Sequence, residues 1–360
     1  MTGPQASENL PVQTSGRITV AVDAMGGDFG PEAIIPALVL ALKKRGDMDF
    51  MVFGDEARIE RCLAKQPSLR SCTRVISSEK IIKSEDKPSS ALRASKGTSM
   101  RMAIEAVKEG EAQAIVSAGN TGALMAIAKV VLKTIPGLHR PAIASVMPGI
   151  QGDSIMLDLG ANVLVDAENL VQFAVLGAVF AKAQKKIETP RVGLLNVGSE
   201  ENKGPEHVKE AGKILSDVDF HGTYHGFVEG DDIMKGTVDV VVSDGYAGNI
   251  ALKTAEGVGK LTRHYFRASF TSGPLAVLGG MLAFFALHKF KKQTDPRLYN
   301  GGVFLGLNGL CVKSHGGADA VAFSSAVLLA RRLAHQGYIY QVAEDIGHLM
   351  SQESFLSRDV

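Results

Sequence analysis

The chain has no tryptophan and few aromatic residues, 6% of its 360 positions. It has three cysteines, Cys62, Cys72 and Cys311, with no CxxC pair and no His/Cys cluster. That argues against a zinc site and against a disulfide scaffold, and favours a reducing cytoplasm. The formal net charge is only +1, so no long-range field would draw in nucleic acid. No uncharged apolar run reaches the roughly 20 residues that cross a bilayer. The phosphate-loop patterns GxGxxG and GxxxxGK[ST] are missing, and so is the GxSxG elbow of serine hydrolases. Residues 1–16 lack the apolar stretch of a signal peptide and read as a disordered tail.

What is present is a repeating pattern of short β-rich run, glycine or small-polar loop, and amphipathic helix. Ile18–Asp23, Phe50–Gly54, Ala114–Ala118, Ile155–Asp158, Val192–Asn196, Val238–Ser243 and Leu310–Lys313 each read as a strand followed by such a loop. Strands alternating with helices imply an α/β fold, a mostly parallel sheet with helices on both faces. Loops after parallel strands share one edge, so Gly26, Gly119, Gly160, Gly198, Gly245 and Gly316 are expected to meet there. The Pro/Gly cluster at 135–150 marks either a passage between lobes or a pair of antiparallel strands. The expected organisation is a tail at 1–16, a catalytic α/β domain at 17–345 with a helical insertion near 255–297, and a terminal tail or helix end at 346–360.

The loops hold the chemistry. In Ser117-Ala-Gly-Asn-Thr-Gly-Ala123, Gly119, Asn120, Thr121 and Gly122 stand at a helix N-terminus, where free N–H groups favour an anion such as phosphate. The same residues also make an ordinary capped turn. Asn196 and Lys203 bracket a loop in which the lysine can neutralise phosphate or sit in solvent beside Glu200 and Glu201. Asp244, Gly245, Gly248, Asn249 and Lys253 follow an apolar strand, and Asn249 and Lys253, four apart, share a helix face. Lys313 and His315 stand beside Gly316-Gly317, and His315 is the best placed of nine histidines for proton transfer. Asp23, Gly26, Gly27 and Asp28, with Asp158 and Asn162, complete the set; the strand-ending carboxylates orient other groups. No local pattern requires a metal, and no cofactor is expected.

In order along the chain, DAMGGD (23–28), SAGNTGA (117–123), LDLGAN (157–162), LLNVG with a following Lys-Gly (194–204), VEGDDI (228–233), DGYAGN (244–249), LYNGG (298–302) and KSHGGAD (313–319) closely resemble PlsX, the bacterial phosphate acyltransferases. The resemblance covers about Arg17 to Val342. Tyr246 stands where the family pattern suggests Phe, and Ser199 where an acid is common. The resemblance implies a fold like the isocitrate/isopropylmalate dehydrogenases and phosphotransacetylases, a homodimer, and acyl transfer from acyl carrier protein to inorganic phosphate for phospholipid synthesis. On this reading Asn120, Thr121, Gly122 and Lys203 hold phosphate, Asn249 or the 245–248 loop holds the thioester carbonyl, and Lys313 and His315 assist the departing thiolate.

The segment Pro274–Leu287 lies between basic flanks, with seven Lys/Arg and one Asp from Lys260 to Arg297. Leu275, Val277, Leu278, Leu282, Phe284 and Phe285 are expected to contact a membrane surface or the acyl chain, placing a cytoplasmic enzyme peripherally on the inner face of the cell membrane. A buried helix between two copies would be equally apolar. Rival activities are a phosphotransacetylase on acyl-CoA, a dehydrogenase of the same fold class, and a non-catalytic membrane-associated scaffold.

Overall fold

The computed structural model describes residues 16–352, so the expected tail, Gly16 apart, lies outside the described residues. Eleven strands form one sheet. They are β1 (Ile18–Asp23), β2 (Met48–Gly54), β3 (Thr73–Ser77), β4 (Ala114–Ser117), β5 (Ala142–Met147), β6 (Ser154–Leu157), β7 (Arg191–Leu195), β8 (Thr223–Val228), β9 (Val240–Val242), β10 (Gly302–Leu305) and β11 (Leu310–Lys313). Their order across the sheet is β3-β2-β1-β4-β11-β10-β5-β6-β9-β7-β8.

Helices cover both faces. On one lie α1 (Pro31–Lys44), α2 (Glu56–Leu63), α6 (Ala167–Lys185), α7 (Glu206–Asp217), α12 (Ala320–His335) and α13 (Tyr338–Met350). On the other lie α3 (Pro88–Ala94), α4 (Ser99–Lys108), α5 (Thr121–Leu132), α8 (Asp232–Lys235) and the start of α9 (Gly245–Phe270). The alternation of strand side chains makes the two cores: Val20 and Val22 face the first, Ala21 the second. Helix α6 is apolar nearly all round, capped by Asp166 accepting from Asn169 N at 2.7 Å, and it is correspondingly buried. The expected boundary at 345/346 falls inside α13, whose Ile346 and Leu349 pack into the first core.

The sheet is not parallel throughout. β3, β2, β1, β4 and β11 run one way; β10 pairs antiparallel with β11 and with β5, and β5 antiparallel with β6. Following these pairings, β6, β9, β7 and β8 run opposite to β1, β4 and β11. The expectation of a single shared edge is therefore corrected: loops after β1, β4 and β11 leave one edge, and loops after β6, β7 and β9 leave the other. The Pro/Gly cluster at 135–150 leads into β5, the antiparallel strand that turns the direction over.

From about Glu256 onward, α9 leaves the body. With α10 (Pro274–Leu282) and α11 (Phe284–Gln293) it makes the projecting insertion. The run 274–287 is not one helix: it breaks at Ala283, with a 75° bend between the two pieces. Among the described residues no single helix is long and apolar enough to cross a membrane.

Candidate active site

Strand register shows how the two sets of loops still meet. Asp23, Ser117 and Lys313 stand side by side in one row across β1, β4 and β11. Lys313 is opposite Gly302, the next position is Ser145 on β5, and Ser145 is opposite Met156. Residues in one row point to the same face, here the face that carries α4, α5 and α9. Asp158 ends β6 two positions along from that row, and Ser243 ends β9 beside it. The opposed strands thus end at nearly the same level, and their polar ends open onto a common face.

The first cluster is tightly packed. Asp23, 1% exposed, accepts from Ser99 Oγ and Ser117 Oγ, each at 2.7 Å, and from Met25 N at 3.2 Å. Burial still pushes its carboxyl above the usual range. Lys313 donates to Ala118 O at 3.4 Å and to Ser314 O. Burial lowers the Lys313 ammonium to about 8, against the pull of Asp23 and Asp28, and nearby Lys253 of α9 pushes the same way.

The glycines serve close packing of loops. A Cβ on Gly26 would stand 2.6 Å from Gly119 N. Gly27, at φ +84°, leaves no room for one beside Gly316 O, to which Asp28 N donates at 2.9 Å. Gly119 N is spent on Ser117 Oγ at 3.0 Å. Asn120 caps α5 by accepting from Ala123 N at 3.0 Å, and its amide donates to Ser84 O and Asp86 O at 2.8 and 2.9 Å. Gly122 meets Pro88, and Thr121 is exposed. At this helix start segment 84–88 lies beside the turn, and Asn120 holds that segment.

The second cluster leaves its cations outside. Asp158, fully buried, accepts from Ile143 N, Ala161 N, Asn162 N and Asn162 Nδ2 at 2.6–3.0 Å. These bonds shape the turn. Asn162 Nδ2 also donates to Pro141 O at 2.8 Å, and Asn162 O accepts from Gly245 N at 2.8 Å. Gly245 and Gly248 press on this turn; a Cβ at Gly248 would stand 1.9 Å from Asp158 O. The expected 245–248 loop is in fact the first turn of α9, capped by Asp244 accepting from Ala247 N at 2.7 Å. Asn249 is exposed beside Gly160. Asn196 donates to Lys203 O at 3.0 Å, and the Lys203 ammonium bonds Glu200 at 2.7 Å, half exposed. His207 Nε2 lies 4.0 Å from Asp244, tying α7 to α9.

His315 is exposed. Its Nδ1 accepts from Gly317 N at 3.1 Å, so the neutral ring carries its proton on Nε2 and can donate there. Asn300 sets this loop: Oδ1 accepts from His315 N at 3.0 Å, and Nδ2 donates to Ser314 Oγ and Ala322 O, each at 2.8 Å. Ser99, Ser117, Ser145 and Asn300 are the polar residues that sequence reasoning passed over. Asn300 lay in the LYNGG motif; Ser99 comes from a helix start with no motif at all. Among the described residues, no group of three or more His, Cys, Asp or Glu side chains could hold a metal.

Lys203, Lys253, Asn249 and His315 keep exposed polar ends, and Lys253 stands near enough to Lys313 to disfavour its charge. Ammonium groups of this kind can neutralise a small oxyanion, and amide and imidazole N–H groups can donate to a polarised carbonyl.

The profile of the fatty acid synthesis protein family matches residues 18–341. A phosphate acyltransferase of Parvibaculum lavamentivorans is 51% identical over 92% of both chains. One of Rhodospirillum centenum is 49% identical over 94% of this chain and 95% of its own. Among solved structures, a phosphotransacetylase from Streptococcus pyogenes aligns with a TM-score of 0.60 at 18% identity, covering 89% of this chain and 94% of its own. The EutD phosphotransacetylase of Staphylococcus aureus aligns at 0.58 and 17%, covering 88% and 94%, and these two likenesses show the fold. By family profile and by identity over nearly the whole length, the chain belongs to the fatty acid synthesis protein family, among its phosphate acyltransferases.

Proposed function

We propose that the acyl donor is a fatty acyl thioester of acyl carrier protein and that the acyl phosphate formed feeds phospholipid synthesis. A phosphate oxygen attacks the thioester carbonyl, the carbonyl oxygen takes up negative charge, and the C–S bond then breaks to release the carrier thiolate. Phosphate is already an anionic nucleophile, so holding it against the carbonyl is the main task. Lys203 and Lys253 supply its counter-charge. Asn249 donates to the developing oxyanion, and the Nε2–H of His315 protonates the leaving sulfur. Lys313, enclosed by main-chain carbonyls, positions the loops of Ala118 and Ser314.

The observation that carries this reading is the strand register, in which the reversed halves of the sheet bring Lys313 and the loop of His315 within two strand positions of the level of the turn that seats Asn249. The test is incubation with palmitoyl-carrier protein, with and without phosphate. Free carrier thiol and hydroxylamine-trappable acyl phosphate are expected only with phosphate. Phosphate-dependent turnover of acyl-CoA alone would make it a phosphotransacetylase instead.

The same reading places the enzyme in the cytoplasm, peripherally on the membrane, as a homodimer. The projecting tip supports the membrane contact: Leu275 and Phe285 are 85% exposed and Leu282 81%. On α9 the exposed Val258, Leu261 and Tyr265 form an apolar strip suited to a second copy.

A further inference from the structure

Helix α9 runs from the site out along the projecting hairpin, and one of its faces carries Lys253, Lys260 and Arg267 with a single acid, Glu256. At about 100° per residue, Asn249, Lys253, Lys260 and Arg267 fall within about 40° of one another, with Arg263 and His264 at their sides. Gly248, Leu252 and Ala255 turn to the body, and Val258, Leu261 and Tyr265 lie on a third face. From Gly257 to Thr294 there is no Asp or Glu, while Lys260, Arg263, Arg267, Lys289, Lys291 and Lys292 lie in that stretch. Lys253 pairs with Glu256 at 2.9 Å, and Arg263 faces Asp295. Among the described residues Lys260 and Arg267 form no ion pair. Like charges one to two turns apart weaken a helix unless acids are interleaved, and beyond Glu256 none are.

We propose that this stripe is the docking surface for an acidic carrier protein, whose flexible thioester-bearing arm then lies along α9 towards Asn249. The inference rests on the carrier-bound donor of the preceding subsection. Lys260 is about 16 Å and Arg267 about 27 Å along the helix from Asn249, so a carrier seated there lies beside the mouth of the site. The other basic cluster near the site is partly committed: Arg101 bonds Glu105 at 2.7 Å and Ser95 at 3.0 Å. An anionic lipid surface is the competing partner, but the apolar residues suited to lipid sit at the far end of α9, beyond the stripe. Charge pairing across such a surface acts mainly on encounter and is weakened by salt.

The experiment compares the full-length protein with its K260E/R267E double variant, two exposed positions. The variant is expected to raise KM for acyl-carrier protein about ten-fold at low salt and to flatten its salt dependence. Turnover of the same acyl group on pantetheine, and flotation with anionic vesicles, are expected to stay unchanged. An unchanged KM overturns the proposal, and if flotation is lost as well the stripe belongs to lipid. Equal losses on both donors overturn it by placing these residues in the chemistry. A wild-type protein that uses acyl-carrier protein no better than acyl-pantetheine refutes the donor reading itself, and the docking surface with it.

Discussion

Lys313→Met tests the electrostatics of the site most directly. In the folded protein burial lowers the Lys313 ammonium to about 8 from the ordinary 10.5. That difference corresponds to roughly 3 kcal/mol for carrying the proton in its buried position. The sign follows from proton uptake: between these two values the unfolded chain binds more proton than the folded one. Stability therefore rises with pH through that window, and the penalty is fully present below about 8. From pH 7.5 to 10 the lysine contributes a gain of about 2 kcal/mol, short of the full value because the unfolded lysine is still partly charged at pH 10. Urea unfolding at both pH values measures it, and the difference between wild type and variant cancels all other titrating groups. Below pH 8 the variant loses the cation beside Asp23 but also sheds its desolvation, so its absolute stability is a poor test and its pH slope a good one. Identical slopes in the two proteins would refute the buried, charge-penalised lysine.

Asn249→Ala is expected to lower kcat about 100-fold with little change in melting temperature, because the side chain is exposed and in the proposed mechanism its amide donates to the carbonyl oxygen; turnover and calorimetry on one preparation check both. Gly248→Ala is expected to cost several kcal/mol or prevent folding, since its methyl would stand 1.9 Å from Asp158 O; a soluble variant with wild-type melting temperature would contradict the packing. Leu278→Glu, at a position 54% exposed, is expected to abolish vesicle flotation without loss of phosphate-dependent turnover in detergent; unchanged flotation would exclude this tip as the lipid contact.

Much of the fold could be read from periodicity. The strands at Ile18–Asp23, Ala114–Ser117 and Leu310–Lys313 lie where apolar runs end in glycine loops, and the caps Asn120, Asp166 and Asp319 begin their helices as residue type dictates. The direction of the second half of the sheet was not legible. A strand's pattern carries no sign, and the reversal is made by β5 and β10, whose pairings join residues about 160 positions apart. For the site, residue type alone left the loop glycines open between ligand approach and loop packing. The fold decides several of them: Gly26 and Gly27 face main chain and Gly122 faces the Pro88 ring at distances that admit no Cβ. Asn120 shows the same limit, because an amide that caps a helix and one that binds phosphate look alike in sequence. Asn249, Lys203 and His315 remain with exposed polar ends, as their positions after strands suggested.

The order of strands bears on how the chain is made. β4 ends at Ser117, yet its neighbour β11 begins at Leu310, and β5 waits for β10. During synthesis the middle of the sheet therefore stays open along two unprotected margins until the last sixth of the protein emerges. Such long-delayed pairing is slow and prone to mispairing. Truncation shortly before Gly302 would leave both margins permanently bare, and the nascent enzyme is a natural client for chaperones that shield strand edges.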